Sequence, residues 1–197
     1  MNRRDALKNT ALLGGSVALS SSLIGLLQSC QSQARLDWEP QFLSTDQARL
    51  VSALVDTILP STDTPGALDV NVDVFLDLVY HKMYDEEGQQ QVAAEMEAFD
   101  RDCKNKFGKA FADLDAEQKV AVLKEAEANS PKSGRGVWGM AVEKTEPVGF
   151  YRSLKSMAVW AYCSSEEIGK NVLNYDPIPG PYQGCVPLSE VGKVYSL

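Results

Sequence analysis

Apolar residues return at helical spacing along the centre of this chain, and that rhythm restricts the fold more than any other feature. Val92, Met96, Phe99, Cys103 and Phe107 lie four, three, four and four residues apart, which places them on one side of a helix. Leu50, Val51, Leu54, Val55, Ile58 and Leu59 form a wider stripe before it. Ser44-Thr45-Asp46-Gln47 reads as the start of that first helix, with Ser44 as cap and Gln47 three residues on, and Pro60 as its end. Ser61 to Ala67 is a loop with Pro65-Gly66 as its turn. Phe75, Leu76, Val79, Tyr80 and Met83 predict a second helix near Val72–Tyr84, and Gly88 is expected to separate it from the third. Gly108 caps or kinks the end of the third. Asp115 to Gln118 offers another box-like cap for a fourth helix carrying Val120, Leu123, Ala126 and Ala128, stopped at Ser130-Pro131. Thr145-Glu146-Pro147 predicts the start of a fifth, with Thr145 as cap and Pro147 in the first turn, where a missing N–H costs little. No run alternates with period two. The expectation is an all-α fold: a small helical bundle of about five helices with a long irregular Pro/Gly-rich C-terminal arm. Pro177, Pro179, Pro181 and Pro187 bar residues 174–197 from forming a long helix.

The first thirty residues have a different grammar. Arg3-Arg4 leads a weakly apolar run, Ala11 to Gln28, broken by Gly14, Gly15, Gly25 and a serine block. A basic head, a soft apolar middle and a small-residue stop make an export signal. The arginine pair points to the twin-arginine (Tat) route, which carries folded cargo, although Ala6 stands where such signals usually have Phe. A spanning anchor needs about 20 mostly apolar residues, and this run is too soft for that reading. Leu27-Gln28-Ser29-Cys30 resembles a lipobox, in which cleavage before Cys30 is followed by lipidation of its thiol. Each buried methylene of such a chain contributes roughly 0.8 kcal/mol of membrane affinity. Cleavage without lipid would instead leave a soluble periplasmic protein. The expected organisation is a signal at 1–29, a short polar linker at 30–43, and a single helical domain at 44–197.

Of the 19 Lys and Arg, three lie in the signal, and of the 27 Asp and Glu, one; the remainder therefore carries a formal charge of −10. That acidity argues against nucleic acid and against an electrostatic grip on anionic lipid. With Cys30 lipidated, Cys103, Cys163 and Cys185 remain. An exported compartment permits a disulfide, and Cys163 with Cys185, flanking a turn-rich stretch, is the pairing expected. Cys103 reads as a small core residue. Gly134-Arg135-Gly136-Val137-Trp138-Gly139 matches G-x-G-x-x-G, but a helix precedes it and Trp138 is bulky where the backbone must approach a pyrophosphate, so it reads as a flexible loop. His81 is the single histidine. With no second His, no C-x-x-C, no G-x-S-x-G elbow and no P-loop, neither catalytic, cofactor-binding nor metal-binding residues are assigned.

The arm is the feature left over. Tyr175-Asp176-Pro177-Ile178-Pro179-Gly180-Pro181-Tyr182 interleaves aromatics with prolines, a composition that loses little entropy on docking and suits an interface. It could equally wrap its own bundle.

At these residues a resemblance emerges. Ile58-Leu59-Pro60 leading to Thr64-Pro65-Gly66-Ala67, then Val74-Phe75-Leu76-Asp77, resembles the gluconate 2-dehydrogenase subunit 3 family. Ser165 to Gly169, Tyr175 to Gly180 and Tyr182-Gln183-Gly184-Cys185 are similar to that family's C-terminal signature. The resemblance implies a non-catalytic small subunit accompanying a large FAD-containing sugar or polyol dehydrogenase, often with a cytochrome c subunit, and in many cases supplying the Tat signal. Pro65, Gly66, Tyr175, Asp176, Pro177, Pro179, Gly180 and Tyr182 are then the expected partner-facing residues. A stand-alone periplasmic lipoprotein binding a small ligand or another protein is the competing expectation.

Overall fold

Residues 50–55 are buried without interruption, so the first long helix has no solvent face along its middle and must lie at the centre of whatever surrounds it. The computed structural model describes residues 36–130, the backbone of 136–137 and 140–141, and residues 148–178, 180–181 and 184–196. Among these, five helices of twelve residues or more form an all-α bundle: α1 Thr45–Ile58, α2 Val72–Met83, α3 Glu86–Phe107, α4 Ala116–Asn129 and α5 Phe150–Ser164. Helix α1 packs against each of the other four, and α5 does the same. These two helices are the spine of the bundle.

Caps fix the helix starts. The Ser44 hydroxyl accepts from the Gln47 N–H while the Gln47 side chain accepts from the Ser44 N–H, and Asp115 and Gln118 repeat the box on α4. Gly108 closes α3 with φ 73, a left-handed cap that glycine adopts without a Cβ penalty. Val92, Met96 and Cys103 of the α3 stripe are buried, and Phe99 and Phe107 pack against them. Phe99 also sets its ring edge-on to Phe111 and Phe150, at 5.6 and 5.7 Å, joining α3 to a 3-10 turn at Phe111–Asp113 and to α5.

Several expectations are corrected. Gly88 lies inside α3; the break after α2 is made by Tyr84 and Asp85, both extended, and the Asp85 carboxylate caps α3 by accepting from the Gly88 N–H at 2.9 Å. Helix α5 starts at Phe150 with Gly149 as its cap residue, while Thr145 and Pro147 lie outside the described residues. The glycine-rich loop contains a minimal antiparallel ladder, Gly136 opposite Ala141 and Val137 opposite Met140; Gly134, Arg135, Trp138 and Gly139 are outside the description.

The linker correction has the largest consequence. From Trp38 onward the segment before α1 belongs to the bundle, held by two buried acids one turn apart on α2. Asp77 accepts the backbone N–H groups of Gln41, Phe42 and Leu43 at 2.7, 3.1 and 2.8 Å. Asp73 accepts the Ser52 hydroxyl at 2.7 Å and the Trp38 indole N–H at 3.3 Å. Buried carboxylates persist only with such partners. The fastening lets Leu43 enter the core and Leu36, Trp38 and Phe42 pack on it.

Asp56 on α1 and Lys119 on α4 influence each other electrostatically. Burial raises the Asp56 carboxyl, with the Lys119 ammonium pulling it back down and Asp69 adding to the rise. Burial also lowers Lys119, opposed by Asp56 and Asp113. A carboxyl whose folded pKa is raised favours the folded state most below its unfolded pKa, and that advantage disappears as pH climbs to the folded value. Lys119→Met removes the opposing ammonium and widens this window. Thermal scans between about pH 4 and pH 7 should show Lys119→Met losing stability with pH more steeply than the wild-type chain, and Asp56→Asn/Lys119→Met losing the effect. Parallel profiles for Lys119→Met and wild type would mean the two groups are not coupled.

Candidate partner interface

Three contacts in reversed order set α2 and α5 antiparallel. The Tyr84 hydroxyl lies 3.8 Å from Met157 Sδ, the Phe75 and Trp160 rings are 5.7 Å apart, and the Tyr162 hydroxyl donates to the Pro65 carbonyl at 2.6 Å. The Pro65 loop and the C-terminal end of α5, from which the arm departs, are thereby brought to one end of the bundle.

The loop is tightly drawn. The Ala67 N–H bonds to the Leu59 carbonyl at 2.8 Å, and the Gly66 N–H to Asp69 Oδ2 at 2.7 Å. A Cβ on Gly66 would stand 2.5 Å from the Ser61 nitrogen and 2.9 Å from the Pro60 carbonyl carbon. Gly66 is buried for that reason, so its expected partner-facing role is corrected to a packing role. Pro65 is half-buried and its carbonyl is already occupied by Tyr162.

After α5 the chain makes a π turn, Ile168–Val172, in which Ile168 and Gly169 are buried. Asn174 then closes the arm on itself. Its N–H and C=O bond to the Val194 carbonyl and the Ser196 N–H at 2.9 and 2.8 Å, and its side-chain amide donates to the Val191 and Lys193 carbonyls, each at 2.7 Å. One short helix, α6 Leu188–Val191, lies within the enclosed loop. The loop exposes apolar side chains: Tyr175 51 %, Ile178 85 % and Leu188 84 %. Asp176, Pro177 and Gly180 are exposed as well, and Asp176 Oδ1 accepts the Ile178 N–H at 3.3 Å to turn the chain. Pro179 and Tyr182 lie outside the described residues, as do Arg3, Arg4 and Cys30. The arm's root packs on the bundle, while its described residues beyond Asn174 mostly face solvent.

The expected Cys163–Cys185 bridge is not formed. Cys163 is half-buried on α5 and Cys185 is exposed with φ 59, both as free thiols; the Asn174 hydrogen bonds hold the arm in its place. Burial, with Asp100 and Asp102 adding, pushes the Cys103 thiol up to about 11, so it is protonated at neutral pH and a poor nucleophile. His81 is half-buried near the end of α2. Among the described residues no three His, Cys, Asp or Glu side chains could share a metal ion, and no helix is long and apolar enough to cross a membrane. A surface groove of about 370 Å³ between α1, α4 and α5 is lined in part by Leu123, Tyr151, Glu127 and Lys155. Glu127 there already binds Lys155 and Arg152, at 2.9 and 3.0 Å.

Sequence reasoning missed Asp73 and Asp77, because acids on a helix read as solvated. Their four-residue spacing on the helix behind a Trp-bearing linker was the available signal.

In comparison with known proteins, a family model described as gluconate 2-dehydrogenase subunit 3 matches residues 45–180. The match begins at the first residue of α1 and ends inside the arm. No curated protein and no solved structure gives a significant match.

Proposed function

The chain belongs to the gluconate 2-dehydrogenase subunit 3 family, and from that membership we propose that it is a non-catalytic accessory subunit that escorts, stabilises and tethers an FAD-dependent gluconate or sugar dehydrogenase large subunit. Its route is Tat export directed by Arg3 and Arg4, and its tether is a lipid on Cys30 at the periplasmic face of the membrane. The FAD belongs to the partner, and a cytochrome c subunit completes some such assemblies.

The observation that carries this reading is the arm. A loop held closed by Asn174 while presenting Tyr175, Ile178 and Leu188 to solvent is ordered by polar bonds and left apolar outside, which suits capture by another subunit. Because Tat cargo crosses folded, the arm would engage the large subunit before export, and one signal would serve both chains.

Arg3→Lys/Arg4→Lys should leave the dehydrogenase in the cytoplasm, measured as flavin-linked activity in periplasmic and cytoplasmic fractions. Cys30→Ser should release the exported complex from the membrane fraction. Unchanged export of the dehydrogenase in the arginine variant would rule out escort, and a colourless small chain purifying alone would favour a stand-alone lipoprotein.

A further inference from the structure

The contacts of residues 38–43 fix the end of the bundle at which the chain enters it. Helix α2 runs away from the Pro65 loop, and the Phe75–Trp160 and Pro65–Tyr162 contacts set its first turn beside the C-terminal turns of α5. The segment before α1 lies along α2 in the same direction. Trp38 bonds to Asp73, the second residue of α2, and Gln41 to Leu43 bond to Asp77 one turn on. The Phe42 ring then lies 6.3 Å from that of Tyr80, almost a turn further. Followed back from Ser44, the chain therefore leads to the end that carries the Pro65 loop and the root of the arm. Two buried acids hold it on that path, so the point of entry is fixed by the fold. The arm is fastened at the same end, because Asn174 pairs with Tyr195 and keeps the exposed Tyr175 and Tyr195 at its root.

We propose that the protein is tethered by its arm end, so that the arm captures the large subunit close to the bilayer; this rests on the lipid at Cys30 and the partner given above. Eight links separate Cys30 from Trp38, and whatever their conformation they span at most about 28 Å. A tether entering at the opposite end of the 12-residue α2 would carry the arm outward by a further length of about 18 Å. The formal charge of −10 beyond the signal keeps the bundle from settling on anionic lipid by electrostatic attraction. The tether, not adhesion, then sets the distance, and the arm's apolar side chains stay available to a protein. The partner that fits is a large subunit whose receiving surface lies beside the membrane.

The test uses the full-length lipidated chain, co-purified with the flavoprotein large subunit and placed in phospholipid vesicles whose headgroups carry a nitroxide quencher. A Cys163→Ser/Cys185→Ser background leaves only the buried Cys103 thiol and accepts one fluorophore at a new cysteine. Glu167→Cys reports the arm end, just past α5, and Met83→Cys the far end of α2; both side chains face solvent, so the fold is kept. Quenching at Glu167→Cys should exceed that at Met83→Cys several-fold. An insertion of roughly 20 Gly and Ser residues after Gln33, whose coil spans about 25 Å, should even out the two signals. Equal or reversed quenching without the insertion overturns the proposal and leaves the functional reading intact. A difference that survives the insertion also overturns it, because the tether would not be what orients the bundle. A chain that leaves the vesicles, or captures no flavoprotein, overturns the functional reading itself.

Discussion

Asp77→Ala should cost the bundle about 3–4 kcal/mol, because it removes the acceptor for three backbone N–H groups at once and each buried donor left unpaired costs about 1–3 kcal/mol. The donors belong to Gln41, Phe42 and Leu43, so the effect spreads beyond the lost hydrogen bonds. Once the segment is released, Leu43 leaves the core, and Trp38 and Phe42 lose the surface they cover. For a domain of this size the loss corresponds to a fall in Tm of roughly 10 °C. Asp77→Asn, which keeps one carbonyl acceptor, should lose about half as much. Differential scanning calorimetry of the three proteins decides the matter. A Tm for Asp77→Ala within about 2 °C of wild type would mean the carboxylate is not what fastens the segment.

The second large effect is expected at Gly66. Its substitution by alanine meets backbone atoms of Pro60 and Ser61, and backbone cannot swing aside as a side-chain tip can. The expected cost is about 2–3 kcal/mol. Opening the loop also carries the Pro65 carbonyl away from Tyr162. Tyr162→Phe alone should cost about 1 kcal/mol by leaving that carbonyl unpaired. The double variant should therefore fall short of the sum of the two, since displacement of the loop has already broken the bond that Tyr162→Phe removes. Chemical denaturation of the four proteins of this cycle supplies the measurement. Strict additivity would show that the glycine and the tyrosine act on separate structures.

The bundle was legible in the sequence wherever local chemistry decides the backbone. The boxes at Ser44–Gln47 and Asp115–Gln118, the stop at Pro60 and the cap at Gly108 are all short-range devices, and all occur where expected. What could not be read depends on partners distant in the chain. Gly88 suggests a break until Asp85 captures its N–H, and Asp73 and Asp77 read as solvated until residues 38–43 fold over them. The candidate site was half legible. The arm's proline and aromatic pattern pointed to a presenting loop, but nothing local indicated that Asn174 would close it. Nor did the sequence separate Gly66, packed inside, from Pro65 beside it.

The continuous burial of α1 sets an order on synthesis. Leu54 has no exposed side, and one of the helices that covers α1 is α5, whose first residue emerges more than ninety positions later. The Tyr162–Pro65 bond likewise spans 97 residues. A chain that has not yet supplied α5 therefore leaves its central helix wet on one flank, and the bundle closes only after α5 has left the ribosome. Until α5 is available, the apolar flank of the central helix is open to other apolar surfaces.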